Sequence, residues 1–455
     1  MVGWTEVTQL PALSDPILQG SAKPCPSRAP SRTGVAELEL GRRTFLGSAA
    51  GLLATPALTR AAGAPRVVVI GGGFGGASAA RFLRRANPGI DVVLAEPSTT
   101  FTACPFSNSV IAGERDIAAQ RFTYQGLAAT GVRIVQASVS TIDPARRLVT
   151  LGDNAVNYDR LILSPGIDIA WGVLPGYDAT AAERMPHAWK AGEQTLLLRR
   201  QLEAMTDGGL VVISVPANPY RCPPGPYERA SLIAYYLKTR KPRSKLIVLD
   251  AKDIFSKQKL FQAAWKQLYP ELLEWVSLSD GGKVTRIDPA TNTFETDFGS
   301  HKADVANVIP PQRAGAIAAA AGVVDRTGWC PIDPVTFESR LLPGIHVIGD
   351  AAIAGAMPKS AFAANAQAKA CADAIVEMLA GSAPAEPRLI NTCYSLVAPD
   401  YGISIAGVYR PANGQLTEIE GAGGLSPLDA PAEQRKLEAE YADAWFKTIT
   451  GETFG

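Results

Sequence analysis

Three kinds of residue in this sequence are spaced so that they could do chemistry: a run of glycines, a set of scattered cysteines, and acids close to both. The glycines fall in Gly71-Gly72-Gly73-Phe74-Gly75-Gly76, giving G-x-G-x-x-G at Gly71, Gly73 and Gly76. Such a loop receives a pyrophosphate. The first glycine makes the tight turn, the second lets the phosphates reach the backbone, and the third lets helix and strand pack closely. Cys222 lies in the string RCPPGP with Glu228 six residues beyond it, and Cys330 lies in GWCP. A bond between these two would close a loop of about a hundred residues. As a plain cross-link it would restrain the unfolded chain by several kcal/mol. As a redox-active disulfide it would accept a nucleophilic sulfur. Glu228 could then act as a general base or proton relay, although a lone glutamate is more often solvated or salt-bridged. Cys104, in TFTACPFSN at 100–108, could pack silently, pair with a partner, or react with a bound cofactor.

The surrounding patterns supply elements to hold these residues. Arg66–Ile70 is a continuous β-branched run and reads as a buried parallel strand. The glycine loop follows it, then a helix over Ala77–Ala86 and a second strand over Ile90–Leu94. That strand leads to Glu96, placed to take ribose hydroxyls. Strand, loop, helix, strand and acid in this order predict a dinucleotide site. Two later strands identify the dinucleotide as FAD rather than NAD. Tyr158–Gly166 ends in a Gly166 turn, and Gly344–Asp350 ends in Gly-Asp, where Asp350 can bind the ribityl or pyrophosphate region. Beyond Lys359, Ser360 is expected to N-cap a helix whose positive end faces the flavin pyrimidine ring. A flavin domain is therefore expected from 65–180 and 295–380. Between them, 181–294 should form a second Rossmann-like unit with strands at Gly209–Val215 and Lys245–Asp250. Its first loop, 216–229, is built of prolines and bulky side chains with no glycine nest, which counts against a nicotinamide donor. The fold class expected is α/β: two Rossmann-like dinucleotide-binding domains of the FAD/NAD-linked disulfide reductase type. A C-terminal α+β domain completes it over 381–455.

At 455 residues, with 47% hydrophobic and 19% charged residues and a formal net charge of +1, the composition is that of a globular protein. The balanced charge gives no electrostatic reason to bind nucleic acid or an anionic membrane surface. No apolar run reaches the roughly 18–20 residues that would span a bilayer, and no metal site is expected. Residues 1–64 read as a leader. Gly41-Arg42-Arg43-Thr44-Phe45-Leu46, the apolar stretch Leu46–Leu58 and Ala62-Gly63-Ala64 look like a twin-arginine export signal with its cleavage site. The stretch before the arginines is long, which suggests a true start near Val35. This route moves folded, cofactor-loaded proteins, so the mature chain is expected in the periplasm. Cys25 would leave with the leader. Cys104, Cys222, Cys330, Cys371 and Cys393 would remain, an odd number.

Several longer strings are more specific than any of these motifs: RCPPGPYERA at 221–230, PHAWKAGEQT at 186–195, IPPQRAG at 309–315, GWCP at 328–331 and NTCYS at 391–395. In them the chain, from Pro65 to Gly455, resembles the flavoprotein subunit of flavocytochrome c sulfide dehydrogenase. The resemblance implies oxidation of sulfide to sulfur or polysulfide. It implies FAD joined covalently through its 8α-methyl group to Cys104, although the flanking Thr102-Ala103 and Pro105-Phe106 depart from the family's Tyr-Thr and Tyr-Leu. It further implies that Cys222 and Cys330 form the active-site disulfide and that Glu228 is its acid/base. His187 falls in a matching string and is expected only to order a loop. The chain has no C-x-x-C-H haem attachment site. Haem is thus expected only on a partner cytochrome c subunit, forming a heterodimer docked from about residue 385 onward. There Leu437, Tyr441 and Trp445 form a helical stripe, which core packing would equally explain. The alternatives are a sulfide:quinone oxidoreductase and a non-catalytic flavin-binding or sulfur-carrying partner. The polar segment 433–440 speaks against a membrane-seated surface and so against the first.

Overall fold

The computed structural model describes residues 63–455, so the stretch read as a twin-arginine signal lies outside the described residues. The continuous apolar run Arg66–Ile70 is buried throughout. It is the middle strand of a five-stranded parallel sheet in the order Ile345–Val347, Arg160–Leu163, Arg66–Ile70, Asp91–Ala95, Arg133–Val135. A strand apolar on both faces needs cover on both faces. The helix Phe74–Ala86 gives part of it through its own buried face, with Ala77, Ala80 and Leu83 inside. Ile345–Val347 pairs with Arg160–Leu163 although nearly the whole central domain separates them in sequence. The flavin domain is thus discontinuous. An antiparallel meander, Val139–Asp143, Leu148–Leu151 and Asn154–Asn157, is inserted before the fourth strand in the chain.

The chain leaves this domain through Ile167–Ile169 and returns through Gln312–Ala314, and the two crossings pair antiparallel. Between them lies a second parallel sheet in the order Leu273–Val276, Lys245–Asp250, Leu210–Val215, Val305–Val308. Here the sequence division needs correction. Val305–Val308 falls after the boundary at 295, yet it pairs with Leu210–Val215 in the register Val211 to Val305. The central domain therefore continues to the crossing strand. A strand of four residues carries no mark of which of two similar sheets it will join.

The C-terminal part is an antiparallel sheet followed by a long helix. Leu389–Ala398 pairs with Tyr401–Ala412, which pairs in turn with Gln415–Glu418. The helix Ala432–Phe454 crosses back to the flavin domain. Its last residue, Phe454, stacks on Phe101 at 5.3 Å and on Phe122 at 5.3 Å, and meets Phe74 edge-on at 5.7 Å. Thr453 Oγ1 lies 3.0 Å from the Ser78 hydroxyl on the nucleotide-loop helix. The chain end thus braces the loop that meets the pyrophosphate. Phe454→Ala should cost about 3–5 kcal/mol, the usual range for emptying an aromatic site in a core. Chemical denaturation monitored by far-UV circular dichroism checks this, with a lowered midpoint as the expected result. Among the described residues no helix is long and apolar enough to cross a membrane.

Candidate active site

The glycine loop is built as its spacing requires. Gly71 has φ +99, and a Cβ there would lie 2.4 Å from the Ser164 carbonyl oxygen. A Cβ on Gly76 would lie 1.9 Å from the Gly71 oxygen, so only glycine lets the helix sit this close to the strand. The helix Phe74–Ala86 begins with no side-chain cap and no acid in its first turn, leaving backbone N–H groups for an anion. Glu96 stands at the rim, accepting from Gly72 N at 2.9 Å and from Ser98 N at 3.0 Å.

From this loop a cleft of about 390 Å³ runs past Gly166, Cys104, Asp350 and Ser360 to Cys222, Glu228 and Cys393. Asp350 Oδ1 is buried in its wall without a hydrogen-bond partner. Burial pushes the Asp350 carboxyl up from its ordinary value, against the pull of Arg221 and Lys359. An orphaned buried acceptor asks for a hydroxyl donor, and a ribityl chain carries several. Ser360 caps the helix Ala361–Leu379, its Oγ accepting from Ala363 N at 3.0 Å, so that the positive helix end opens on the cleft beside Ala361 and Phe362. The residues present therefore fit FAD. The glycine loop would hold its pyrophosphate, Glu96 a ribose, Asp350 the ribityl hydroxyls and the Ser360 helix end the electron-rich edge of the ring.

Two expected site residues do not face this cleft. Lys359 turns away: its ammonium donates to the carbonyls of Asp350 at 2.8 Å and Ala352 at 2.7 Å and lies 4.0 Å over the Trp329 ring. Its contribution is a backbone carbonyl that accepts from Cys222 N at 2.8 Å. Cys330 is 0% exposed and sits within the flavin domain, pairing with Ala352. The charged groups near its thiol are Lys359 and Asp325. Those near Cys222 are Glu228, Cys393, Arg221 and Lys257. The two thiols do not share surroundings: Cys330 does not line the cleft, the other thiols that do are Cys104 and Cys393, and of these Cys393 is among the charged groups near Cys222.

Cys222 and Cys393 arrive there from different domains. Cys222 precedes the helix Gly225–Arg240 with φ 57, a conformation few side-chain-bearing residues adopt. It is held by the bond to Lys359 and by accepting from Gly225 N at 2.8 Å. Burial pushes its thiol well above the ordinary range, with Glu228 adding to the effect. Cys393 comes from the strand Leu389–Ala398, and Asn391 Nδ2 donates to its sulfur at 3.2 Å. Glu228 accepts from Asn108 Nδ2 at 2.9 Å and from Leu396 N at 2.9 Å. Burial raises its pKa even so, so it holds a proton more readily than an ordinary glutamate. Cys104 lines the same cleft, its thiol 3.9 Å from the Trp189 carbonyl oxygen, which also accepts from Arg221 Nη2. His187 Nδ1 accepts from Trp189 N at 2.9 Å, ordering the 186–190 segment as its sequence context suggested. Lys257, which no sequence pattern singled out, is buried beside the thiols. The stripe on the last helix divides: Leu437 and Tyr441 are 42% and 50% exposed, while Trp445 turns into the cleft.

The central domain has filled its own nucleotide corner. Asp250 ends the second strand of its sheet, as Glu96 follows the second strand of the first. Yet Asp250 is fully buried, bonded to Lys252 Nζ at 2.6 Å, Tyr227 Oη at 2.6 Å and Trp275 Nε1 at 3.0 Å. Asp250 is sealed from solvent behind these side chains, so a ribose cannot reach it, whereas Glu96 lines the open cleft.

Comparison with known proteins agrees with this layout. The model for the central part of the sulfide dehydrogenase (flavocytochrome c) flavoprotein chain matches residues 195–310. That for the flavocytochrome c sulphide dehydrogenase flavin-binding region matches 385–454. The pyridine nucleotide-disulphide oxidoreductase model matches 65–203. Over 48 residues, 10% of this chain and 100% of the relative, the sequence is 62% identical to the sulfide dehydrogenase (flavocytochrome c) flavoprotein chain of Chlorobaculum thiosulfatiphilum. It is 23% identical over 305 residues to mitochondrial sulfide:quinone oxidoreductase of Mus musculus, covering 62% of this chain and 65% of that one. In fold it is similar to the sulfide:quinone oxidoreductase of Aquifex aeolicus, with a TM-score of 0.67 at 18% identity, covering 86% of this chain and 92% of the other.

Proposed function

The chain belongs to the family of the flavocytochrome c sulfide dehydrogenase flavoprotein chain, and we propose that it oxidises sulfide at a Cys222–Cys393 disulfide beside FAD. One observation carries this reading: Cys222 of the central domain and Cys393 of the C-terminal sheet line one cleft together with the buried acid Glu228 and the dinucleotide loop. Hydrosulfide attacks one sulfur of the pair. A new S–S bond forms as a persulfide, the old one breaks, and the other cysteine leaves as thiolate. No electrons are lost at that step. Glu228 is placed to hold the proton that the incoming sulfur brings. FAD supplies the two-electron acceptor. In net terms the sulfide sulfur gives up an electron pair and leaves as sulfur or polysulfide, and the disulfide is restored.

Further parts of the reading concern the setting. Cys104 would anchor the flavin covalently through its 8α-methyl group, useful where lost FAD cannot be replaced. Electrons would leave singly to a cytochrome c subunit that carries the haem, in the periplasm after twin-arginine export. The exposed Leu437 and Tyr441, leading inward to Trp445, support a dock on the last helix. Anaerobic addition of sulfide should bleach the flavin stoichiometrically, and NADH should not, given the occupied Asp250 corner. Denaturation should leave the yellow colour with the protein, and Cys104→Ser should release it. Bleaching by NADH alone would refute the reading. Re-oxidation of the reduced protein by quinone but not by cytochrome c would favour a sulfide:quinone oxidoreductase instead.

A further inference from the structure

Among the described residues, Lys257 is the one buried ammonium beside Cys222 and Cys393. It stands at the head of the helix Gln258–Leu268 with φ 62, and only 5% of it is exposed. Its Nζ donates to the Cys393 carbonyl oxygen at 2.8 Å and to Ser395 Oγ at 2.8 Å, while an ammonium has three donors. Among the described residues no carboxylate comes within ion-pair distance of it. The charges that face it are Cys393 on the sheet strand, Glu228 and Cys222 on the central domain, and Glu438 on the last helix. Glu438 is already engaged by Arg435 at 3.4 Å and Ser426 Oγ at 2.6 Å. Burying a cation without a counter-charge is expensive. A negative charge formed nearby would offset that cost, and the groups left to provide it are the two thiols and Glu228.

We propose that Lys257 is the positioning residue of the thiol pair: it fixes Cys393 through its carbonyl and holds the positive charge that stabilises the thiolate released when the disulfide opens. This rests on the Cys222–Cys393 reading above. Burial lowers the ammonium to about 8, against the opposing pull of Cys393, Glu228 and Cys222. It therefore remains mostly protonated at neutral pH. Removing a positive charge near a thiol disfavours the thiolate, so the thiol ionises at higher pH and reacts more slowly below it.

The test is alkylation of the reduced, flavin-loaded protein by iodoacetamide across pH, followed peptide by peptide. Lys257→Met removes the charge, Lys257→Gln keeps a donor without charge, and Lys257→Arg keeps the charge. In the Met and Gln variants the faster cleft thiol should react about ten-fold more slowly at pH 7, its profile displaced upward by about one unit. Lys257→Arg should restore most of the rate. Profiles unchanged in both neutral variants would overturn the proposal, as would an Arg variant that behaves like Met. So would a lowered unfolding midpoint in both neutral variants with no shift of the alkylation profile, because that outcome describes a merely structural lysine. The assay contains no sulfide. Failure of the disulfide reading would show separately, as sulfide bleaching that survives Cys222→Ser.

Discussion

Cys222→Ser and Cys393→Ser should each slow sulfide-driven flavin reduction by at least roughly a thousand-fold, a loss in keeping with removal of a covalent nucleophile. Cys330→Ala should stay close to wild type. Serine fits the space of cysteine but cannot form the disulfide that sulfide must open. Bound flavin should be retained in both serine variants, because the glycine loop, Asp350 and the Ser360 helix end make none of their contacts through these sulfurs. The contrast with Cys330 is the informative part. Its thiol is sealed within the flavin domain and has different charged neighbours from Cys222. Stopped-flow bleaching under anaerobic conditions measures all three variants. Activity retained in Cys393→Ser and lost in Cys330→Ala would reverse the assignment.

A large loss of stability is expected from Arg229→Met, at about 3–5 kcal/mol. The Arg229 guanidinium is buried and donates to Asn108 Oδ1 at 3.0 Å, Asn307 Oδ1 at 3.0 Å, the His187 carbonyl at 2.9 Å and the Ala188 carbonyl at 2.5 Å. It also lies 4.9 Å from the Trp189 ring centroid. Methionine can fill the volume but offers nothing to these acceptors, which remain buried. The damage should reach the site, because Asn108 also donates to Glu228 and the 187–189 segment lies beside Cys104. Denaturant unfolding should therefore show a lower midpoint, accompanied by slower sulfide bleaching. A variant within about 1 kcal/mol of wild type would show that these acceptors find other donors.

These two residues also mark how much could be seen in the sequence. The Gly71–Gly76 loop, its flanking strand and helix, and Glu96 were legible because each is a local pattern whose spacing is its geometry. Ser360 as a helix cap was legible for the same reason. Cys222 and Glu228 were noticed because they share one short string on a single helix start. The pairing of Cys222 was not legible. Cys330 and Cys393 each lie in a specific string, and nothing in spacing says which of them a distant thiol will meet. That choice is made when the C-terminal hairpin folds back over the central domain. Lys359 misled for a related reason. A lysine next to a helix cap reads as a cation aimed at the cofactor, whereas carbonyls of the preceding turn and the Trp329 ring take it up. Lys257 and Arg229 were invisible as site residues, since charged residues on helices usually belong to a solvated face. Only packing makes them buried cations.

The most direct test is peptide mapping of the oxidised protein without reductant, before and after one equivalent of sulfide in the absence of oxygen. The account predicts a linked peptide containing Cys222 and Cys393, replaced after sulfide by a peptide with one added sulfur on one of these cysteines. Cys330 should be free throughout. A Cys222–Cys330 linkage, or free thiols at both 222 and 393 in fully active oxidised protein, would contradict it.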